Sequence, residues 1–194
     1  MQCFWSRGYE ATSIKDLAEH TGIAVASLYN AFGDKRGLFH RAFDDYVENG
    51  IGERISRLRR QPPRQAIEAF FREIVSRSLD DDQRKGCMLV NSALELAPHD
   101  VEFHQRIALA LDRIEAFFLG CLRRGQRDGS IARAIPPRTL ARHLMAVLLG
   151  VRVLARVRPD RATLEGAVGP ALAWLEPLPL PGRAGLPRPR RRGA

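Results

Sequence analysis

Residues 12–43, TSIKDLAEHTGIAVASLYNAFGDKRGLFHRAF, read as a helix, a tight turn and a second helix that leave one polar face pointing outward. Ser13 can cap the first helix, with Asp16 completing a capping-box-like pair, and Ile14, Leu17 and Ala18 recur at the spacing of one buried helical face. Gly22 ends this helix, because glycine takes the left-handed conformation that turns the chain sharply, and Ile23 is placed to plug the corner between the helices. In the second helix, at about 100° per residue, Val25, Ala26, Tyr29 and Asn30 share one arc, while Leu28 and Ala31 lie opposite and Phe32 closes the apolar side. The outer arc is free to touch a partner. A glycine-turned helical hairpin is also a common piece of core, so the pattern alone serves either use.

The order of residues narrows the choice. GIAVASLYNAFGDKRGLF, residues 22–39, resembles the recognition helix and following helix of the TetR family of bacterial transcriptional regulators, where a Ser/Thr-Leu-Tyr triplet, an aromatic and then a lysine recur at these intervals. The resemblance implies an all-α fold, with an N-terminal helix-turn-helix over residues 1–46 and a helical effector-binding and dimerisation domain over 47–176. It implies that Ser27, Tyr29 and Lys35 meet DNA phosphates or adjacent base edges and position the protein. Val25, Ala26 and Asn30 fall where the family places base-reading side chains: asparagine can pair bidentately with adenine, and valine or alanine can pack on a thymine methyl. Thr12 and Ser13 match the start of the supporting helix, whose amides and hydroxyls can hold a phosphate.

Three departures qualify the match. Ala24 stands where a capping residue usually opens the recognition helix, at a cost of roughly 1 kcal/mol, and Ala31 replaces a residue that commonly adds a backbone contact. The family has a whole first helix before this motif, whereas here only MQCFWSRGYE precedes it, with Cys3-Phe4-Trp5 resembling that helix's last turn. The expectation is a coding start upstream of Met1. The competing class is a helical ligand-binding or dimerisation protein that has lost DNA binding through the missing helix.

The chain carries a formal net charge of +9, yet residues 1–50 are slightly acidic. The basic excess lies in Arg54, Arg57, Arg59 and Arg60 and in the tail residues Arg183, Arg188, Arg190, Arg191 and Arg192. A chain of 194 residues with 45% hydrophobic residues can bury a proper core. It contains no run of about 18 apolar residues that would span a membrane, and MQCFWSRGYE lacks the charged start and long apolar stretch of a signal peptide. Cys3, Cys87 and Cys121, odd in number and widely spaced, suit reduced thiols and a cytoplasmic protein. No spacing suggests a nucleophile and base, a phosphate loop or a catalytic carboxylate pair, so an enzyme is not expected, and no cofactor. His99, Asp100 and His104 complete no metal-ligand set; Asp100 is better used as a helix cap with Glu102 in its first turn.

From Asp34 onward the pattern is helical almost throughout. A helix capped by Asp34 runs through Leu38, Phe39, Ala42, Phe43 and Tyr46 toward Arg60, past Gly50 and Gly52, until Pro62 and Pro63 break it. Amphipathic segments follow over 64–79, 87–97 and 100–124, then two strongly apolar ones over 137–155 and 162–175. Leu140, Leu144, Val147, Leu148, Val151 and Leu154, with Leu164, Val168, Leu172 and Leu175, give these last two helices more apolar surface than one chain needs. The resemblance implies that they form a homodimer through a four-helix bundle. Residues 177–194 have the Pro, Gly and Arg content of a disordered basic tail.

The resemblance also implies a pocket for a small organic effector among the middle helices, with Phe70, Phe71, Ile74, Met88, Asn91, Phe103, Ile107 and Phe117 as candidate walls. Cys87 follows Arg84, Lys85 and Gly86 at a helix start, where positive charge and the helix dipole favour the thiolate, the setting of a redox or electrophile sensor. Packed as a small apolar group, it would be inert.

Overall fold

A computed structural model of the chain describes residues 1–177, and among these every regular element is helical. The helices are α1 (Gln2–Arg7), α2 (Ile14–Thr21), α3 (Val25–Phe32), α4 (Lys35–Tyr46), α5 (Glu53–Leu58), α6 (Pro63–Leu79), α7 (Met88–Glu95), α8 (Val101–Asp128), α9 (Pro137–Val157) and α10 (Arg161–Ala173). The all-α expectation holds. Apart from Pro177, the tail expected to be disordered lies outside the described residues.

Local chemistry sets most of the helix starts. The carboxylates of Asp34, Asp100 and Asp160 accept the amides of Gly37 (2.7 Å), Phe103 (3.0 Å) and Thr163 (2.8 Å), each capping a helix start. Pro63 and Pro137 open α6 and α9, where a missing N–H leaves no bond unmade. Beyond Tyr46 the chain continues past its glycines as expected, but Val47–Gly52 winds as a wider π-helix before α5 resumes the α form. A Cβ at Gly52 would lie 2.6 Å from the flexible end of the Arg113 side chain, which reaches over to Glu48.

The N-terminal helices close around Phe4, Leu17, Leu28, Phe39 and Phe43, with Phe4 edge-on to Phe39 at 4.8 Å. The larger body centres on α6, α8 and α9, where Phe70, Phe71, Phe117 and Phe118 form one aromatic cluster; burying each such ring contributes about 1.5–3 kcal/mol. In α9 and α10, Leu140, Leu144, Leu148, Val151, Leu164 and Val168 are used inside the chain, as is Leu175 just beyond. Val147, Leu154 and Leu172 are half-buried, and Val153, Val157 and Trp174 are exposed. The surplus apolar surface is therefore smaller than the pattern predicts.

Polar ties join the two bodies. The Glu95 carboxylate on α7 accepts the amides of Tyr9 (3.1 Å) and Glu10 (2.9 Å), just after Gly8 turns the chain at φ 89°. A side chain at Gly8 would press on that carboxylate at 3.0 Å. Arg36 grips Asp100 (2.8 Å) and Glu102 (2.9 Å), and Arg106 grips Asp44 (2.8 Å).

Candidate nucleic-acid interface and internal cavity

Residues 12–33 fold as a helix, a turn and a helix. Ser13 accepts the Asp16 amide (3.1 Å) while Asp16 accepts the Ser13 amide (2.8 Å), the reciprocal capping box expected from sequence. Gly22 adopts the left-handed conformation (φ 69°, ψ 13°) and donates its amide to Ala18. Ile23 does not plug the corner: it is 44% exposed, and α3 is anchored instead by Leu28, with Phe32 half-buried behind it. The turn leaves Ile23 on the outer side of the junction, where no facing helix covers it.

α3 is eight residues long and only Leu28 is buried. Val25 and Tyr29 are 39% and 47% exposed, and Ala26, Ser27 and Asn30 are exposed with them. Ala31, expected on the inner side, is exposed too, because α3 stands on Leu28 and Phe32 alone. Ala24 supplies no side-chain cap. The outward arc mixes methyl groups, hydroxyls and one carboxamide, the chemistry needed to read base edges and hold phosphates.

Two expected contact residues are used inside the chain. Thr12 is fully buried and its hydroxyl donates to the Gly8 carbonyl at 2.6 Å, so its side chain is withdrawn from any phosphate. Lys35 donates Nζ to the Tyr9 carbonyl (3.1 Å) and lies 4.2 Å above the Tyr9 ring, bracing the α1–α2 loop against α4. Ser13 remains exposed at the start of α2.

The charge of this face is mostly neutralised internally. Arg7 pairs with Asp16 at 3.3 Å and Arg36 with α8, which leaves Lys15 and Arg41 as exposed cations without an ion-pair partner among the described residues. Lys15 sits in the first turn of α2 beside Ser13. Sequence reading passed over it, because a lysine in a polar helix start carries no distinguishing signal.

A cavity of about 260 Å³ opens between α1, the α4–π junction, α6, α7, α8 and α9. Of the eight walls expected from sequence, Phe70 and Ile74 line it. Phe103 does not: it is wedged between Phe39 (5.1 Å) and Phe43 (4.8 Å), in the joint between the two bodies. Phe117 belongs to the aromatic cluster, and Phe71 borders a separate, more open hollow against α10. Met88 and Ile107 are buried off the cavity, while Asn91 donates to the Lys85 carbonyl at 2.9 Å. Helical periodicity identified inward faces and could not locate the space left between them.

The polar corner of the cavity is made by Tyr46, Ser78, Cys87 and Arg152. Cys87 is buried, with Sγ 3.4 Å from the Tyr46 hydroxyl. Burial pushes its thiol up, but the Arg152 guanidinium, the Tyr46 hydroxyl and the Val90 amide outweigh that and hold it below the ordinary thiol value. The cation that matters therefore arrives from α9 rather than from the neighbouring Arg84 and Lys85. Burial raises the Tyr46 hydroxyl, which stays protonated.

The N-terminal part of the chain, residues 1–42, matches the family "Bacterial regulatory proteins, tetR family", and residues 63–169 match "Tetracyclin repressor-like, C-terminal domain". The uncharacterized HTH-type transcriptional regulator YezE of Bacillus subtilis (strain 168) is 33% identical over 178 residues, 91% of this chain and 92% of that one. The HTH-type transcriptional repressor ComR of Escherichia coli (strain K12) is 28% identical over 167 residues, 85% of this chain and 78% of ComR. Among solved structures, a cysteine mutant of the TetR-family regulator CifR, complexed with 26-bp double-strand operator DNA, superposes with a TM-score of 0.77 at 33% identity, covering 88% of this chain and 90% of that one. With its exposed eight-residue helix, its second helical body and these matches across both, the chain belongs to the TetR family of bacterial transcriptional regulators.

Proposed function

We propose that the protein is a ligand-responsive repressor of the cytoplasm that binds a palindromic operator as a homodimer and is released by a small organic effector in the 260 Å³ cavity. The observation that carries this reading is α3 itself, a helix held by one buried leucine with Val25, Ala26, Ser27, Tyr29 and Asn30 facing outward. Val25, Ala26 and Asn30 read bases in the major groove; Ser27 and Tyr29 hold the backbone beside them. Ser13 and Lys15, at the start of α2, add phosphate contacts, and Lys35 acts indirectly by bracing the loop before α2.

Effector and DNA communicate through α4. Two residues separate this helix from α3, and it ends at Tyr46, which lines the cavity and whose ring packs edge-on against Trp5 of α1 at 5.1 Å. A ligand favouring one placement of Tyr46 therefore favours one placement of the reading head, which is the differential affinity that release requires.

Dimerisation uses the outer stripes of the last two helices. Ala146, Gly150, Val153 and Val157 on α9, and Ala162, Gly166, Gly169 and Ala173 on α10, recur one helical turn apart and are all exposed. Small residues in register let helices approach closely, and a two-fold axis then presents two copies of α3 to two half-sites.

The test is a salt-titrated binding assay on the intergenic DNA upstream of the gene. Specific binding with log K falling linearly against log salt supports the reading; affinity equal to that for random DNA at every salt concentration overturns it. A second input at the same cavity, a thiol switch at Cys87, is favoured by the Arg152 and Tyr46 groups beside the sulfur. An undiminished response to oxidants in Cys87→Ser removes it.

A further inference from the structure

The residues lining the cavity include four cations, Arg54, Arg77, Lys85 and Arg152, and two carboxylates, Asp80 and Asp81. Arg54 is paired with Glu73 (3.3 Å) and Lys85 with Asp81 (3.6 Å), and Arg77 is exposed to solvent. Arg152 is different. Its guanidinium sits deep between α6, α7 and α9, and no described carboxylate lies within ion-pair distance of it. Two of its five N–H groups are used, one on the Ser78 hydroxyl (2.9 Å) and one on the Gly86 carbonyl, both neutral acceptors. Nε is sealed from solvent and has no partner.

A largely buried guanidinium with no carboxylate partner among the described residues, and only the Cys87 thiol and the Tyr46 hydroxyl as ionisable neighbours, is a charge that proteins rarely keep without a use. Nη1 and Nη2 each keep one further N–H beyond these two bonds, donors of the kind that suit a carboxylate. The Tyr46 hydroxyl stands on the same side of the cavity, its one protein partner being the Cys87 sulfur. The rest of the lining is largely apolar, with Phe70, Ile74, Leu111, Ile114, Leu148 and Leu149.

We infer that the effector is a small organic acid with one carboxylate, its head on Arg152 and Tyr46 and its hydrocarbon body against the apolar wall. The volume, about 260 Å³, is at the small end for ligand sites. A single cation without a carboxylate partner fits a monoanion; a phosphate monoester would bring two charges to a site that can neutralise one. Cys87 could offset Arg152 only as a thiolate, and the bound acid takes that place and leaves the thiol protonated. This inference rests on the cavity being the effector site.

The probes are straight-chain and branched monocarboxylates of about three to eight carbons, their matched primary amides, and alkyl phosphates. Each is titrated calorimetrically into the full-length dimer and tested for release of a fluorescent operator fragment. At least one acid should bind saturably, about 10- to 100-fold tighter than its amide, the range expected of one charge-assisted hydrogen-bonded contact. Arg152→Met should erase that preference, Arg152→Lys should keep part of it, and Tyr46→Phe should reduce it with the fold intact.

Amides binding as well as their acids, no acid in the series binding, or an acid preference unchanged in Arg152→Met would each overturn the proposal. If neutral probes alone bind and release DNA, the acid class falls and the effector cavity stands. If nothing in either series moves operator affinity, both fall.

Discussion

Phe103→Ala should loosen the joint between the DNA-reading helices and the ligand-binding body without touching the cavity. The ring is 1% exposed and packs on Phe39 at 5.1 Å, Phe43 at 4.8 Å and His40 at 5.3 Å. Truncating such a side chain removes its transfer energy and leaves a void lined by rings that cannot follow, costing about 3–5 kcal/mol. In a chain of this size each kcal/mol lowers Tm by about 2–4 °C, so the melting point should fall by about 6–20 °C. The assay is thermal unfolding followed by circular dichroism at matched protomer concentration, because a dimer's stability depends on concentration. Effector affinity measured well below the new Tm should be unchanged. A drop of less than about 3 °C would refute the packing argument, and lost effector binding with unaltered melting would return Phe103 to the pocket.

The DNA interface gives a paired prediction: Tyr29→Ala should weaken binding on every sequence, whereas Asn30→Ala should cost about 1–3 kcal/mol at one base position and relax its preference. Equal losses on all sequences for both would refute the reading role of Asn30. Lys15→Ala should lower the salt slope of operator binding by about one phosphate contact, read from a log–log titration. Arg36 and the Phe103 amide hold the Asp100 carboxyl down to about 2, against an ordinary 3.8, and bonding to Arg106 lowers Glu102 as well. A depressed carboxyl stabilises the fold above its unfolded value and loses that contribution as pH falls through its folded one. Urea unfolding should therefore show a stability loss between about pH 4 and pH 2 that Asp100→Asn reduces. Gly166 has open space where a Cβ would stand, so Gly166→Arg should leave the protomer folded and shift sedimentation from dimer to monomer; an unchanged dimer would place the interface elsewhere.

What could be read from the sequence was local. The Ser13–Asp16 box, the left-handed Gly22, the caps at Asp34 and Asp100 and the anchor Leu28 each follow from residue type and spacing within one or two turns. What could not be read depends on which segments pack around a side chain once the chain has folded. Thr12 could cap toward solvent or turn inward, and only the return of α1 through Gly8 decides it. Lys35 could reach DNA or Tyr9, and Ile23 looks like a plug until one sees that nothing faces it. Arg152 did leave a signal. It lies one turn from Leu148 and from Ala155, both buried, so a cation was written onto an inward face, a local conflict of the kind that marks functional sites.

That conflict also gives a reason for the π-helical stretch. Tyr46 ends α4, and Gly50 and Ile51 in the wider turn line the same cavity as Arg152. Had α4 run on as a regular α-helix into α5, the reading head and the ligand-binding body would share one rigid rod, and a ligand could move neither against the other. Single π turns are costly and recur where a helix must yield. Here the wide turn begins directly after Tyr46, which lines the cavity, and α8 clamps it from outside through the Arg113–Glu48 pair over Gly52. The wide turn and its clamp thus lie on one side of Tyr46, and on the other lies α4, a regular helix that begins five residues after Asn30 of the DNA-facing arc. On the proposed reading, a displacement of Tyr46 reaches the reading head along α4.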